Sequence, residues 1–427
     1  MPYLHALGIS DCYLSPVTKS MPGSDHGYDT VDPTLLNPEL GTPDDFTQFV
    51  DTVHEHRMSL LVDVVPNHMG IGKALNRWWR DVLENGPSAR YATAFDIDWH
   101  PIKQELNNKV LLPILADQYG TVLENQEMIV EFQQGEFSLR YGEHQLPLTP
   151  KSWIRVLGAG MEELIARMGE SDASVMELQS ILTALRNLPE LDETDQARIA
   201  ERYREVEIVK KRLAQLTESN QTVEAHLRDN VARLNGSKGE PETFDELDDL
   251  LDAQAYRLAS WKVASEEINY RRFFDINDLA AIRMENPMVF QESHELLMKL
   301  IREGMVTGVR VDHVDGLYEP GLYLKQLQDL AKHPDGGNLG DRDLFLVVEK
   351  ILGHDEVLPD AWPVHGTTGY DFTNLVNGLF VQTANERVWT ETYSRFIDRD
   401  TSYSDLAYAS KQLIMRVSMA SELNVLG

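Results

Sequence analysis

The sequence predicts an α/β fold with a parallel sheet, broken by a small β-rich insertion and a long helical one. Three observations carry this expectation. Apolar strand-like runs alternate with amphipathic helical stretches in the first hundred residues. The same rhythm returns after about residue 263. Between them the pattern changes character twice.

Asp11-Cys12-Tyr13-Leu14 reads as a short strand closed by Ser15-Pro16. Residues 41–57 read as an amphipathic helix, with Phe46, Phe49, Val50 and Val53 at helical spacing. Leu60-Leu61-Val62-Asp63-Val64-Val65 is a near-continuous apolar run, the kind buried on both faces of a parallel sheet. Strand, helix and strand at these lengths make a βαβ unit, so residues 1–97 are assigned to the core. In 98–150, the segments 109–115, 127–132 and 137–141 read as short strands between turns, a β-rich insertion. Residues 151–262 are helical and highly charged. Ile199, Val206 and Leu213 recur every seven residues, with Tyr203 and Leu216 near the intervening heptad positions, which predicts a helical hairpin with a coiled-coil seam. Residues 236–241 read as a linker. In 263–427 the core resumes. A helix over 287–303 carries Phe290, His294, Leu297, Leu300 and Ile301 on one stripe. A strand over 308–312, a helix over 317–331 and a strand over 344–349 follow, and the last fifty residues read as mostly helical.

The 427 residues, 42% hydrophobic and 25% charged, suffice for two or three domains or subdomains. A net charge of −30 repels phosphate backbones and anionic lipid, so neither nucleic acid nor membrane is an expected partner. No apolar run approaches the roughly 18–20 residues that span a bilayer. Met1-Pro2-Tyr3-Leu4-His5 has no basic and apolar signal-peptide pattern. The single cysteine, Cys12, reads as a small core residue and excludes an intrachain disulfide. A cytoplasmic location is therefore expected. Oligomeric state is not legible.

Three strands end in polar groups: Asp63 with Asn67 and His68 after it, Arg310 with Asp312, and Glu349. Parallel α/β folds bind ligands at the carboxyl ends of strands. Side chains alternate along a strand, so Arg310 and Asp312 share a face. Two carboxylates from neighbouring strand ends suit glycosyl transfer, one as ionised nucleophile and the other as protonated acid. Arg310 favours an ionised Asp312, and burial after an apolar run favours a protonated Glu349. A strand-end ion pair of purely structural role fits the same residues.

Asp63-Val64-Val65-Pro66-Asn67-His68, Gly308-Val309-Arg310-Val311-Asp312-His313 and Glu349-Lys350-Ile351 resemble, in order, three signatures of the alpha-amylase clan. Gly27-Tyr28-Asp29-Thr30 is similar to the clan's substrate-stacking tyrosine segment. Residues 84–91, 95–99, 268–275 and Gly366-Thr367-Thr368-Gly369-Tyr370-Asp371-Phe372 narrow the likeness to the maltooligosyltrehalose synthase family. That resemblance implies a partial (β/α)8 TIM barrel of alpha-amylase type carrying the two insertions. It implies intramolecular transglycosylation on a maltooligosaccharide, turning the reducing-end α-1,4 bond into an α,α-1,1 bond. It also implies Asp312 as nucleophile, Glu349 as acid/base, Arg310 as the residue orienting Asp312, His68 and Tyr28 on the sugar, Asp63 as a structural partner and His313 near the next sugar. Tyr370 is a candidate wall of the pocket, or a core aromatic. Neither cofactor nor metal is implied. The clan's first strand and third carboxylate find no match between Met1 and Gly427, so a chain cut at both ends, unstable or inactive alone, is expected. The alternatives are a hydrolase or glucanotransferase of the clan, or a silent carbohydrate-binding protein. His54 and His56 read as ordinary helix histidines and His294 as a core or surface one, while Trp78 and Trp79 read as either helix packing or sugar stacking.

Overall fold

A computed structural model describes residues 1–332 and 344–426. The chain divides into two compact units, 1–70 with 272–420 and 71–271 with 421–427.

The first unit is built on five parallel strands: β1 (Asp11–Leu14), β2 (Ser59–Val64), β3 (Gly308–Val311), β4 (Phe345–Val348) and β5 (Gly366–Thr367), adjacent in that order. The fifth lies in Gly366-Thr367, too short to carry a periodicity, and was not among the strands expected. Register decides what meets. Tyr13 pairs with Leu61, Asp63 with Arg310 and Arg310 with Val347. With alternation along each strand, Tyr13, Leu61, Asp63, Arg310 and Val347 share one face. The ladder runs past the strand ends, because Asp312 N–H donates to Val64 O (2.9 Å) and Glu349 N–H to Val311 O (2.8 Å). Two residues beyond the Arg310–Val347 pair, Asp312 and Glu349 therefore fall level.

The opposite face packs on helices. α1 (Pro43–Glu55) starts at a capping box in which Thr42 and Asp45 exchange hydrogen bonds. It buries Val50 and Val53 against Met58 and Leu60, with Cys12 partly buried against that cluster. α2 (Pro287–Arg302) is capped by Asn286 and buries the whole predicted stripe. α3 (Pro320–Ala331) packs against it. Between them His294 is 1% exposed. Its ring nitrogens lie 2.8 Å from Phe290 O and 2.8 Å from Tyr323 Oη. Burial lowers its pKa to about 4. A base whose native pKa lies below its unfolded value of about 6.5 stabilises above that value and loses the contribution as pH falls towards 4, by about 3 kcal/mol in all. Urea denaturation is expected to show stability dropping between pH 6.5 and 4.5, and His294→Gln is expected to flatten the drop. An equally steep drop in the variant would assign it to other groups.

Three further helices, Tyr370–Gly378, Glu386–Ile397 and Tyr403–Val417, bury no residue, leaving Phe372, Leu379 and Phe396 exposed.

In the second unit, Met128–Gln133, Glu136–Tyr141 and His144–Pro147 form an antiparallel sheet. Val110–Leu115, predicted as its neighbour, pairs in parallel with Tyr256–Ser260 instead. The helical segment is a packed group rather than a simple hairpin, with Ala173–Arg186, Gln196–Ser219 and Gln221–Leu234 in contact in sequence. The seam of the long helix is Arg202, Val206, Val209, Leu213 and Leu216. Ile199 is only partly buried. Its place is taken by the guanidinium of Arg202, which donates to Asn85 Oδ1 (3.1 Å), Pro189 O (2.6 Å) and Thr149 Oγ1 (3.3 Å). A polar side chain with satisfied donors packs where a heptad pattern expects an apolar one. Trp78 and Trp79 are fully buried, Trp78 stacked on Tyr91 at 4.8 Å, so both have packing roles. Among the described residues, no helix is long and apolar enough to cross a membrane.

Candidate active site

At the carboxyl end of the sheet one guanidinium serves three carboxylates. Arg310 Nη1 donates to Asp63 Oδ2 (2.6 Å) and Asp312 Oδ1 (2.7 Å), and Nη2 lies 3.1 Å from Glu349 Oε1. Asp63 Oδ2 also accepts from the hydroxyls of Tyr13 and Tyr28, the latter at 2.7 Å. The two phenols lie 3.2 Å apart. Glu349 takes the backbone N–H of His313 on Oε2 (3.1 Å) and the Tyr370 hydroxyl on Oε1 (3.3 Å). Tyr370 is 42% exposed, so it borders the cleft rather than the core. The cleft has a volume of ≈ 550 Å³ and is lined by Tyr13, Arg310, Val347, Thr367 and Tyr370 among others.

Local backbone geometry sets these positions. Gly27 has φ +82°, and a Cβ there would lie 2.8 Å from Pro16 O, so only glycine lets the chain deliver Tyr28 at this point. His313 adopts the left-handed conformation (φ 44°, ψ 51°), uncommon for a non-glycine residue, and its N–H is the one donated to Glu349. Gly316 lies so close to Asn67 and His313 that a Cβ would meet both at 2.3–2.4 Å. His68 is buried. Its Nε2 lies 3.1 Å from Tyr28 O, and its ring stacks on Phe273 at 4.3 Å. Phe273 also meets His313 edge-on at 5.0 Å, and Phe274 lies 5.8 Å from that ring. All eight residues singled out in the sequence, Tyr28, Asp63, His68, Arg310, Asp312, His313, Glu349 and Tyr370, thus connect in one network. Tyr13, Phe273 and Phe274 join it unexpectedly. The alternation of β1 with Asp63's strand was the only signal for Tyr13, and it needs the register.

The charge distribution reverses the one expected. Burial pushes Asp312 up to about 7, with neighbouring Asp63 and Glu349 adding to the rise and Arg310 opposing it. Burial also acts to raise Glu349, but the His313 N–H, Arg310, Asp312 and Tyr370 outweigh it and hold Glu349 below the usual range. Asp63 is raised by burial, against the donors that surround it. Burial opposes the charge of Arg310 as well, yet Asp63, Asp312 and Glu349 hold it above the ordinary guanidinium range. The physical reason is depth. Asp312 is 6% exposed between two other acids, whereas Glu349 stands at the rim with donors of its own. Three carboxylates about one guanidinium do not all stay ionised.

Comparison with known proteins shows what the chain as a whole is similar to. The alpha-amylase catalytic-domain family matches residues 1–147. A Mycobacterium tuberculosis protein named as a maltooligosyl trehalose synthase is 32% identical over 388 residues, which are 90% of this chain and 36% of that protein. The solved maltooligosyltrehalose synthase of Arthrobacter ramosus superposes with a TM-score of 0.69 at 30% identity, covering 100% of this chain and 42% of the other. A Sulfolobus tokodaii structure titled as a hypothetical maltooligosyl trehalose synthase gives 0.64 at 26% identity, covering 99% and 42%. The chain therefore spans about two fifths or less of these relatives' lengths. It has an α/β fold with a TIM-barrel-like core and is a relative of the maltooligosyltrehalose synthases, within the alpha-amylase clan.

Proposed function

We propose that this chain carries the nucleophile and the acid/base of a maltooligosyltrehalose synthase, acting on the reducing end of a maltooligosaccharide. The observation that carries the reading is the level placement of Asp312 and Glu349 on one guanidinium. In this reading the Asp312 carboxylate attacks C1 of the penultimate glucose, and Glu349 gives its proton to O4 of the terminal glucose as that bond breaks. The anomeric hydroxyl of the retained glucose then attacks C1, returning its proton to Glu349 and releasing Asp312. Two inversions give net retention and an α,α-1,1 bond. Arg310 orients Asp312, Tyr28 stacks on the sugar, His68 and His313 bind its hydroxyls and Tyr370 walls the pocket. Excluding water separates this mutase from a hydrolase.

The two carboxyls share one proton, which rests on Asp312 in the free site. A sugar that parts Glu349 from Arg310 and Asp312 removes what holds Glu349 ionised, and the proton passes to it. The five-stranded sheet is read as an open part of a (β/α)8 barrel, with 98–150 and 151–262 as its insertions. With one cysteine and no disulfide, we assign the protein to the cytoplasm.

Incubation with maltopentaose tests the reading. Isomerisation is expected to remove reducing ends with little free glucose. A rise in reducing ends would make the protein a hydrolase of the same clan. Since the active state holds one proton on the pair, kcat/KM is expected to fall as pH rises above about 7.

A further inference from the structure

The Tyr13 hydroxyl belongs to none of the roles above, yet it reaches the centre of the network. Asp63 Oδ1 is buried and has no hydrogen-bond partner among the described residues. Every donor to this carboxylate therefore falls on Oδ2: the hydroxyls of Tyr13 and Tyr28, and Arg310 Nη1. That same Nη1 is the nitrogen bound to Asp312. Nη1 carries two hydrogens and has three oxygens around it, Asp63 Oδ2 at 2.6 Å, Asp312 Oδ1 at 2.7 Å and the Tyr28 hydroxyl at 3.4 Å, so a stronger draw by Asp63 shifts the guanidinium away from Asp312. Each hydroxyl on Asp63 satisfies part of its charge and lessens its draw on Arg310. Tyr28 is committed to the pocket, whereas Tyr13 comes from the neighbouring strand, set there by its register with Leu61.

We propose that Tyr13 is a positioning residue of this site: by donating to Asp63 it lessens the draw of Asp63 on Arg310 Nη1, which then holds Asp312 in place and favours its ionised form. The inference rests on the functional reading above for what Asp312 does, but not for the geometry. Without this hydroxyl, Asp63 turns to Nη1 and Asp312 loses part of its counter-charge. The groups that then face Asp312 are Asp63, Arg310 and Glu349, with the phenols of Tyr28 and Tyr370 and the imidazoles of His68 and His313 around them.

Tyr13→Phe removes one oxygen from a side chain that is 49% exposed, so the fold is expected to persist. Two measurements test the proposal. In maltopentaose kinetics, kcat is expected to fall about tenfold with KM within twofold of the parent, and the basic limb of kcat/KM to move to higher pH. In ¹³C NMR of aspartate-labelled protein, the Asp312 carboxyl, assigned by its loss in Asp312→Asn, is expected to titrate at higher pH in Tyr13→Phe than in the parent. An Asp312 titration that stays in place or moves down overturns the proposal, whatever the kinetics show. Should the parent isomerise no maltopentaose, the synthase reading fails, while the NMR comparison still decides on Tyr13.

Discussion

Asp312→Asn is expected to reduce maltopentaose isomerisation by at least about 10⁴-fold, since no other group can form the glycosyl intermediate. Glu349→Gln is expected to reduce it by about 10³-fold, the usual scale of a lost general acid/base. Neither change should unfold the protein. An amide oxygen in Glu349→Gln can still accept the His313 N–H at 3.1 Å. Asp312→Asn replaces one of three carboxyls that do not all stay ionised around a single guanidinium with a neutral amide, so its melting temperature is expected to match or exceed the parent's. Tryptophan fluorescence titration with maltopentaose separates binding from turnover, and Kd is expected to move far less than the rate. If either variant kept a tenth of the parent rate, the proposed roles would be wrong.

Arg310→Leu is the second large effect, and it is one of stability. Its side chain is 11% exposed, and Asp63 and Asp312 beside it are 0% and 9% exposed. Truncating one partner of such a buried cluster leaves carboxylates without counter-charge, at a cost of about 3–5 kcal/mol. The loss depends on pH. Asp312 is already raised in the parent, to about 7, and Asp63 is raised too. Removing the guanidinium raises both further. An acid whose native pKa exceeds its unfolded value, near 3.9, takes up a proton on folding. It is therefore least costly below that value and destabilises as pH rises through the window to the native one. Urea midpoints are expected to differ little between Arg310→Leu and the parent near pH 4 and widely at pH 8. A gap that is constant with pH would mean that the lost packing of the side chain, rather than its charge, is responsible.

Two of the parallel strands were legible because their runs are almost wholly apolar: Leu60 to Val65 is broken only by Asp63, and Leu344 to Val348 is unbroken. The stripe of α2 was legible for the converse reason, since one face alone is apolar. Residue types at strand ends, together with a family likeness, singled out eight members of the network and missed Tyr13, Phe273 and Phe274. In the long helix the same reasoning found Val206, Leu213 and Leu216 of the seam but misread its first turn. Periodicity counts apolar residues, and Arg202 is buried on the strength of its hydrogen bonds.

What a linear pattern can carry is the local alternation of polar and apolar groups, and with it the strands, the helices and the chemical types at their ends. Register and depth belong to the assembled sheet, because both depend on residues distant in the chain. Pairing of Tyr13 with Leu61 brings its hydroxyl to Asp63, and pairing of Arg310 with Asp63 on one side and Val347 on the other sets Glu349 level with Asp312. Depth then reverses the protonation that neighbouring residues alone suggest, because a carboxyl's charge answers to every group around it in space and not to its sequence neighbours.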